Sequence, residues 1–130
     1  MPSHLCQFRV YYEDTDSGGI VYYANYLKFA ERARTEMLRD SGINQSQLIK
    51  EHGVGFVVRR AELDLQKPAR LDDLLFIHTE VVEIGAAGFK MMQRIMLDEM
   101  VLCMVGTQIV CVDMERMKPA RLPKMVKERF

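Results

Sequence analysis

Tyr26, Ala30, Ala33 and Met37 recur at three- and four-residue intervals, and Leu27, Phe29 and Leu38 widen the same stripe. That spacing predicts an amphipathic helix across "ANYLKFAERARTEMLRDSG", with Lys28, Glu31, Arg32 and Arg39 mostly off the apolar side. Gly42 follows the last turn, where a left-handed cap is common. At 1.5 Å per residue, about 17 residues make a rod roughly 25 Å long. "QSQLIKEHG" predicts a shorter helix ending at Gly53. Downstream the period changes. In "GFVVRRAELDLQ", Val57, Ala61, Leu63 and Leu65 fall on one face and Arg60, Glu62 and Asp64 on the other, as in a half-buried strand. "LLFIHTEVVEI", "FKMMQRIML" and "MVLCMVGTQIVCVDM" predict further strands, and "QFRVYY" an earlier one. Short connections between successive strands predict an antiparallel meander. "MKPARLPKMVKERF" ends the chain with prolines and a helical turn. Strand, helix, then a run of strands is an α+β pattern. The economical packing lays the helix stripe on the apolar face of the sheet. Met91, Met92, Met96, Met100 and Met104 crowd the later strands, as adaptable core or interface filler.

Length and composition narrow this picture. A chain of 130 residues predicts a single domain over 1–130, large enough for its own core. Apolar residues make up 48% and charged residues 28%, a globular balance. Basic and acidic residues number 18 each, so no global field attracts nucleic acid or an anionic membrane, and any anion site must be local. Zero net charge also does little to oppose self-association. "MPSHLCQFRV" lacks a basic segment followed by an apolar stretch, and no run approaches the ~18 apolar residues of a membrane span. Neither a signal peptide nor membrane insertion is expected. Cys103 and Cys111 share one predicted strand, about 26 Å apart if extended, too far for a disulfide. Free buried thiols in a reducing cytoplasm fit best.

The unusual stretch is "VYYEDTDSGGIVYYANY", Val10 to Tyr26, which crowds acids, glycines and tyrosines between a strand and a helix. Asp14 and Asp16 precede the helix by too many residues to be local caps; Asn25 or a neighbour is better placed. Asp14 can stabilise the turn through its own backbone. A calcium loop starting at Asp14 fails at Gly18 and Asn25, where ligands are needed. A D-x-D phosphatase needs a parallel α/β sheet that the pattern lacks. G-x-S-x-G, H-E-x-x-H and Walker motifs are absent. His4 falls near a fraying terminus, His52 near a helix end and His78 in a strand, none with metal spacing. A carboxylate near a helix entrance remains. Free N–H groups there can polarise a carbonyl and hold an oxyanion, while the carboxylate attacks or activates water. Glycines allow close approach to the backbone.

"YYEDTDSGGIVYYANYLKFAERARTEML" resembles the signature of the hotdog-fold acyl-CoA thioesterases of the 4-hydroxybenzoyl-CoA type. The likeness is closest to the bacterial branch associated with the Tol-Pal cell-envelope system. It extends through "FVVRRAELDLQKPARLDD" and "CVDMERMKPARLP". The resemblance implies a hotdog fold, a long central helix wrapped by a curved antiparallel sheet of about five strands. It implies homodimers or homotetramers with sites at the dimer interface, and cytoplasmic hydrolysis of acyl-CoA, or of acyl-carrier-protein thioesters, with no metal or cofactor. Asp16 matches the catalytic aspartate. Gly19, Ile20, Val21, Tyr22 and Tyr23 match the segment leading into the helix, with the Tyr23 N–H as donor to the thioester oxygen.

Tyr23 is also a departure, since the Tol-Pal branch commonly has histidine there, whereas the 4-hydroxybenzoyl-CoA type has tyrosine. The exchange inclines the acyl group toward aromatic ones. Tyr12 matches a family position beside the aspartate, as a site or a core residue. Coenzyme A carries phosphates, so basic residues should line the outer site. Arg59, Arg60, Lys67, Arg70 and Lys118 are candidates, and the parity of Arg59 puts it with Val57 and Ala61 on the apolar side. Glu31 and Arg34 are one helical turn apart, as a structural pair. Two rivals share these features: an acyl-CoA or acyl-carrier-protein binding scaffold with little turnover, and a hotdog dehydratase. The dehydratase normally uses a histidine, which the motif lacks.

Overall fold

The computed structural model describes residues 3–130; Met1 and Pro2, part of the stretch read for a leader, lie outside them. Strand β1 (Ser3–Arg9) leads through a 3-10 turn (Tyr12–Asp14) to helix α1 (Asn25–Asp40) and helix α2 (Gln45–His52). Strands β2 (Val54–Leu65), β3 (Leu74–Ile84), β4 (Gly88–Leu97) and β5 (Met100–Asp113) follow, then a two-residue β6 (Lys118–Pro119) and helix α3 (Lys124–Arg129). The strands form one antiparallel sheet in the order β1-β3-β4-β5-β2, with β6 beside β5. Register shifts near Arg59, Val82 and Met96 mark bulges, which bend strands and curl the sheet.

Helix α1 closes as its sequence predicts. Gly42 has φ +81°, its N–H bonds the Arg39 carbonyl, and the Ile43 N–H reaches back to Leu38. This paired capping stops the helix, and buried Ile43 packs in the same cluster as Leu38. Tyr26, Phe29, Ala30, Ala33, Met37 and Leu38 are buried, each large one contributing roughly 1.5–3 kcal/mol. Leu27, expected in the stripe, is exposed, whereas Asn25 and Arg34 are buried. The sheet curls against one side of α1 and leaves Lys28, Glu31 and Arg32 exposed. Asn44 caps α2 by accepting from the Gln47 N–H at 3.1 Å, and Gly53 ends it with φ +67°.

A buried polar network fixes the helix over the sheet. Gln93 donates to the Ala30 carbonyl at 2.8 Å and to Thr79 Oγ1 at 3.0 Å. Its own carbonyl accepts from Arg34 Nη1 at 3.1 Å, and Arg34 Nη2 pairs with Glu31 at 2.8 Å. Burial lowers the Arg34 pKa while Glu31 opposes that shift. Gln93 stands between Met91 and Ile95, which belong to separate apolar clusters. The cluster holding Ile95 also holds Val21 and Tyr26 at the N-terminal end of α1. The other is closed by Val126 and by Phe130 edge-on to Phe89.

Several expectations need correction. The meander holds for β3, β4 and β5 but not for β2, which crosses to the far edge and pairs β5, because β1 occupies the free side of β3. As an edge strand, β2 has only one flank covered, so Ala61 and Leu65 are exposed rather than half-buried. β1 starts earlier than read and ends at Arg9, because Tyr12–Asp14 turn away as a 3-10 turn. His4 is no fraying residue: it lies in β1 with Nε2 2.6 Å from Asp40 Oδ2. Cys6, Cys103 and Cys111 are free thiols.

Candidate active site

Asp14 organises the approach to α1. It is 5% exposed, and its Oδ2 accepts from the Tyr11 N–H at 2.8 Å. Oδ1 accepts from Asn25 Nδ2 at 2.9 Å, and the Asp14 carbonyl accepts from the Tyr22 N–H at 2.9 Å. One buried residue therefore ties together the 3-10 turn and the first helical residue through its carboxylate, and the segment entering α1 through its backbone carbonyl. Asn25 does not cap the helix, as the sequence suggested; Ala24 holds that position without a side-chain bond.

Between Asp14 and Tyr22 the chain forms a small hairpin. Thr15 bridges Val21, the Asp16 N–H donates to the Ile20 carbonyl at 2.9 Å, and the Gly19 N–H donates to the Asp16 carbonyl at 3.1 Å. Gly19 sits at φ +79°, where a side chain would be strained. The Gly18 N–H holds Asp16 Oδ1 at 2.8 Å. Among the described residues, Asp16 Oδ2 has no hydrogen-bond partner. The carboxylate is exposed, with one oxygen fixed and the other free.

The start of α1 supplies donors beside it. Backbone acceptors exist for the N–H groups of Tyr22, Asn25, Tyr26 and Leu27. Among the described residues, the N–H groups of Tyr23 and Ala24 have none. They carry the positive end of the helix dipole. Asp16, Ile20, Val21, Tyr23 and Tyr26 line a 250 Å³ recess whose opposite wall is Leu65–Pro68. The Val21 N–H bonds the Ala69 carbonyl at 2.9 Å, and the Tyr26 hydroxyl accepts from the Ala69 N–H at 3.0 Å. Burial pushes the Tyr26 phenol up, so its hydroxyl stays neutral and in place.

The structure thus gathers Asp16, Ile20, Val21, Tyr23 and Lys67 around one recess. Gly19 and Tyr22 adjoin it in the hairpin and its exit. The Tyr22 ring lies 4.8 Å from that of Tyr23, whose hydroxyl raises the Tyr22 pKa. Arg59 lies elsewhere, six residues before Leu65 on β2, about 20 Å along an extended strand. It is the extra residue of the β2 bulge, so simple alternation misplaced it; it is exposed and lines a separate 360 Å³ cavity with Glu83, Lys90 and Gln108. Tyr12 is 82% exposed and takes no part in the core. Tyr26 and the Asp14–Asn25 pair escaped the sequence reading. Tyr26 was legible only as helix stripe, and Asp14 reaches α1 through the fold rather than through spacing. Among the described residues, no group of three or more His, Cys, Asp and Glu side chains is gathered as a metal site, and no helix is long and apolar enough to cross a membrane.

A fixed carboxylate with a free oxygen, beside unpaired N–H groups in a partly apolar recess, is suited to attack on a polarised carbonyl. Known proteins resemble the chain over most of its length. The model of the thioesterase-like superfamily matches residues 10–130. The acyl-CoA thioesterase YbgC of Haemophilus influenzae is 47% identical over 122 residues, covering 94% of this chain and 90% of its own. A 1,4-dihydroxy-2-naphthoyl-CoA hydrolase of Nostoc punctiforme is 31% identical over 114 residues, 88% of this chain and 77% of its own. The crystal structure of a "probable thioesterase" from Bartonella henselae superposes with a TM-score of 0.89 at 42% identity, covering 94% of this chain and 100% of that one. The curled sheet with its long helix is the hotdog arrangement of such thioesterases, and the chain belongs to the thioesterase-like superfamily.

Proposed function

We propose that the chain hydrolyses acyl-CoA thioesters to a free carboxylic acid and coenzyme A. One observation carries this reading: Asp16, which keeps one carboxylate oxygen free, and Tyr23, whose N–H has no acceptor among the described residues, line the same recess. The thioester carbonyl oxygen accepts from the Tyr23 N–H, which stabilises the oxyanion as it forms. Asp16 either attacks the carbonyl carbon, giving an anhydride that water then opens, or takes a proton from the attacking water. In both routes the C–S bond breaks, and the coenzyme A thiolate leaves and is protonated. Gly19 and Ile20 shape the turn, Val21 and Tyr22 lead into the donor, and Lys67 offers a cation at the far wall. Arg59 serves the phosphates of coenzyme A.

No cofactor enters this scheme. Residues 1–130 act as one domain, in the cytoplasm, as a homodimer or homotetramer. The hydrolase of Nostoc punctiforme has a bicyclic aromatic substrate in its name, and tyrosine at position 23 points the same way, so aromatic acyl groups belong in any survey. The test is a panel of short, long and aromatic acyl-CoA substrates with a thiol-reactive dye, comparing wild type with Asp16→Asn. Loss of roughly a hundredfold to ten-thousandfold is expected for the variant. Exposed Tyr22 and Tyr23 at the recess favour a second reading, a docking face for acyl-carrier protein with little turnover. Tight binding without hydrolysis of any substrate would select that reading.

A further inference from the structure

Among the described residues, Lys67 is the one lysine that lines the Asp16 recess. Its backbone is fixed. The Gln66 and Lys67 N–H groups both donate to the Leu102 carbonyl, at 2.9 and 3.0 Å. Beyond Pro68, the Ala69 carbonyl accepts from the Val21 N–H and the Ala69 N–H donates to the Tyr26 hydroxyl. This wall is therefore tied to β5 on one side and to the approach of α1 on the other. The Lys67 side chain itself is exposed, on a flexible four-carbon stem.

Two groups of opposite charge thus line one recess without meeting. Among the described residues, Lys67 makes no ion pair, and Asp16 Oδ2 has no hydrogen-bond partner. Lys90 and Lys124, by contrast, are held by Glu83 at 3.1 Å and Glu128 at 3.8 Å. A thioester carbonyl polarised by the Tyr23 N–H faces two nucleophiles in this recess. One is the carboxylate, or the water it activates. The other is the Lys67 amine.

We propose that Lys67 is a self-acylation site: an acyl group brought to the recess as acyl-CoA passes to the Lys67 amine, and the modified chain loses activity. This rests on the acyl-CoA hydrolase reading above. The ammonium first gives a proton to the free oxygen of Asp16 or to solvent, because only the neutral amine carries a lone pair. The nitrogen attacks the carbonyl carbon, the N–C bond forms and the C–S bond breaks. The leaving thiolate takes a second proton from the nitrogen. The products are an N-acyl lysine, coenzyme A as its thiol and one released proton, with no change in oxidation state.

The effect is a slow brake at high acyl-CoA. Water is in vast excess and opens most thioesters, so hydrolysis dominates each turnover. An amide does not reopen under the same conditions, so it accumulates as turnovers proceed. An acylated Lys67 has lost its charge and carries the acyl group on the recess wall. The next substrate then meets a recess already filled.

The experiment incubates the full chain with short aliphatic, long and aromatic acyl-CoA. Thiol release beyond one per chain reports hydrolysis, and intact mass with peptide mapping reports the adduct. A hydroxylamine wash removes thioesters on the three cysteines and any anhydride at Asp16, and leaves the amide. The expected result is acyl-Lys67 at roughly tenfold or more the occupancy of any other lysine, because a group held beside the carbonyl reacts as if highly concentrated. Unfolding in urea should erase that preference. Activity should fall in step with occupancy in wild type and hold steady in Lys67→Arg, whose guanidinium keeps the charge and offers no amine. Acylation spread evenly over the lysines, or the same loss of activity in Lys67→Arg, overturns the proposal. Hydrolysis with no Lys67 adduct also overturns it and leaves the hydrolase reading intact. A selective Lys67 adduct with no hydrolysis of any substrate overturns the hydrolase reading alone.

Discussion

Replacing Asp14 by alanine tests whether the site is built from behind. The carboxylate is 5% exposed and holds the Tyr11 N–H at 2.8 Å and Asn25 Nδ2 at 2.9 Å. A hydrogen bond to a charged group contributes about 1.5–3 kcal/mol, and the truncation also leaves two donors without an acceptor. The expected loss is therefore about 3–6 kcal/mol, read as a lower urea midpoint at unchanged slope. Asn25→Ala removes only one of the two bonds and should cost about half. The effect reaches Asp16 through the hairpin that Asp14 anchors. A shift of about 1 Å at a catalytic group can cost roughly a hundredfold, so kcat should fall on that scale with KM changed less. The exchange Asp14→Asn with Asn25→Asp is the sharper probe. Asn at 14 can still accept from the Tyr11 N–H while donating to a carboxylate at 25. It should regain much of the stability lost in either alanine variant. Asp14→Ala that unfolds within 1 kcal/mol of wild type and keeps full kcat would refute this reasoning.

Gln93→Leu should destabilise by about 4 kcal/mol in urea titration, because it removes three buried hydrogen bonds and leaves Arg34 Nη1 and Thr79 Oγ1 without that partner. Adding Arg34→Met should cost less than the sum of the single changes, since both groups belong to one network. Alkaline pH should destabilise through Cys103, whose thiol burial, with Asp64 nearby, pushes up to about 11 from 9.0. The unfolded chain ionises first, so this stability is complete below pH 9 and is lost as pH rises through about 11. Its size is of order 2 kcal/mol, and urea midpoints between these values should fall less steeply in Cys103→Ala.

The elements with two covered flanks were the legible ones. β3, β4 and β5 are buried on alternate positions by the same helix and neighbouring strands, so their periodicity gave their limits within about a residue or two. α1 was legible because its stripe and its glycine stop agree. β2 misled because alternation records which residues could be buried, not whether another strand covers them. The bulge at Arg59 then reversed the parity on which its placement rested. The carboxylate and the donors of the site lie in one contiguous stretch, so Asp16 and Tyr23 could be read together. The Asp14–Asn25 bond could not, because those two residues meet through the fold. Arg34 was legible as the partner of Glu31, and the 2.8 Å pair bears that out, but its burial against Gln93, 59 positions away, was not.

The strand order also sets the sequence in which the chain must close on itself. β3, β4 and β5 meet across short turns, so their pairing confines little chain and should form early. Both outer strands depend on distant partners: Ser3 pairs with Glu80, and Val54 with Asp113. Each closure confines a long loop before any contact rewards it, which slows folding. Changes in the central hairpins should therefore alter the folding rate, whereas changes in β2 should mostly alter the unfolding rate. The strand at the open edge of the sheet is thus among the last to be secured and the first to open.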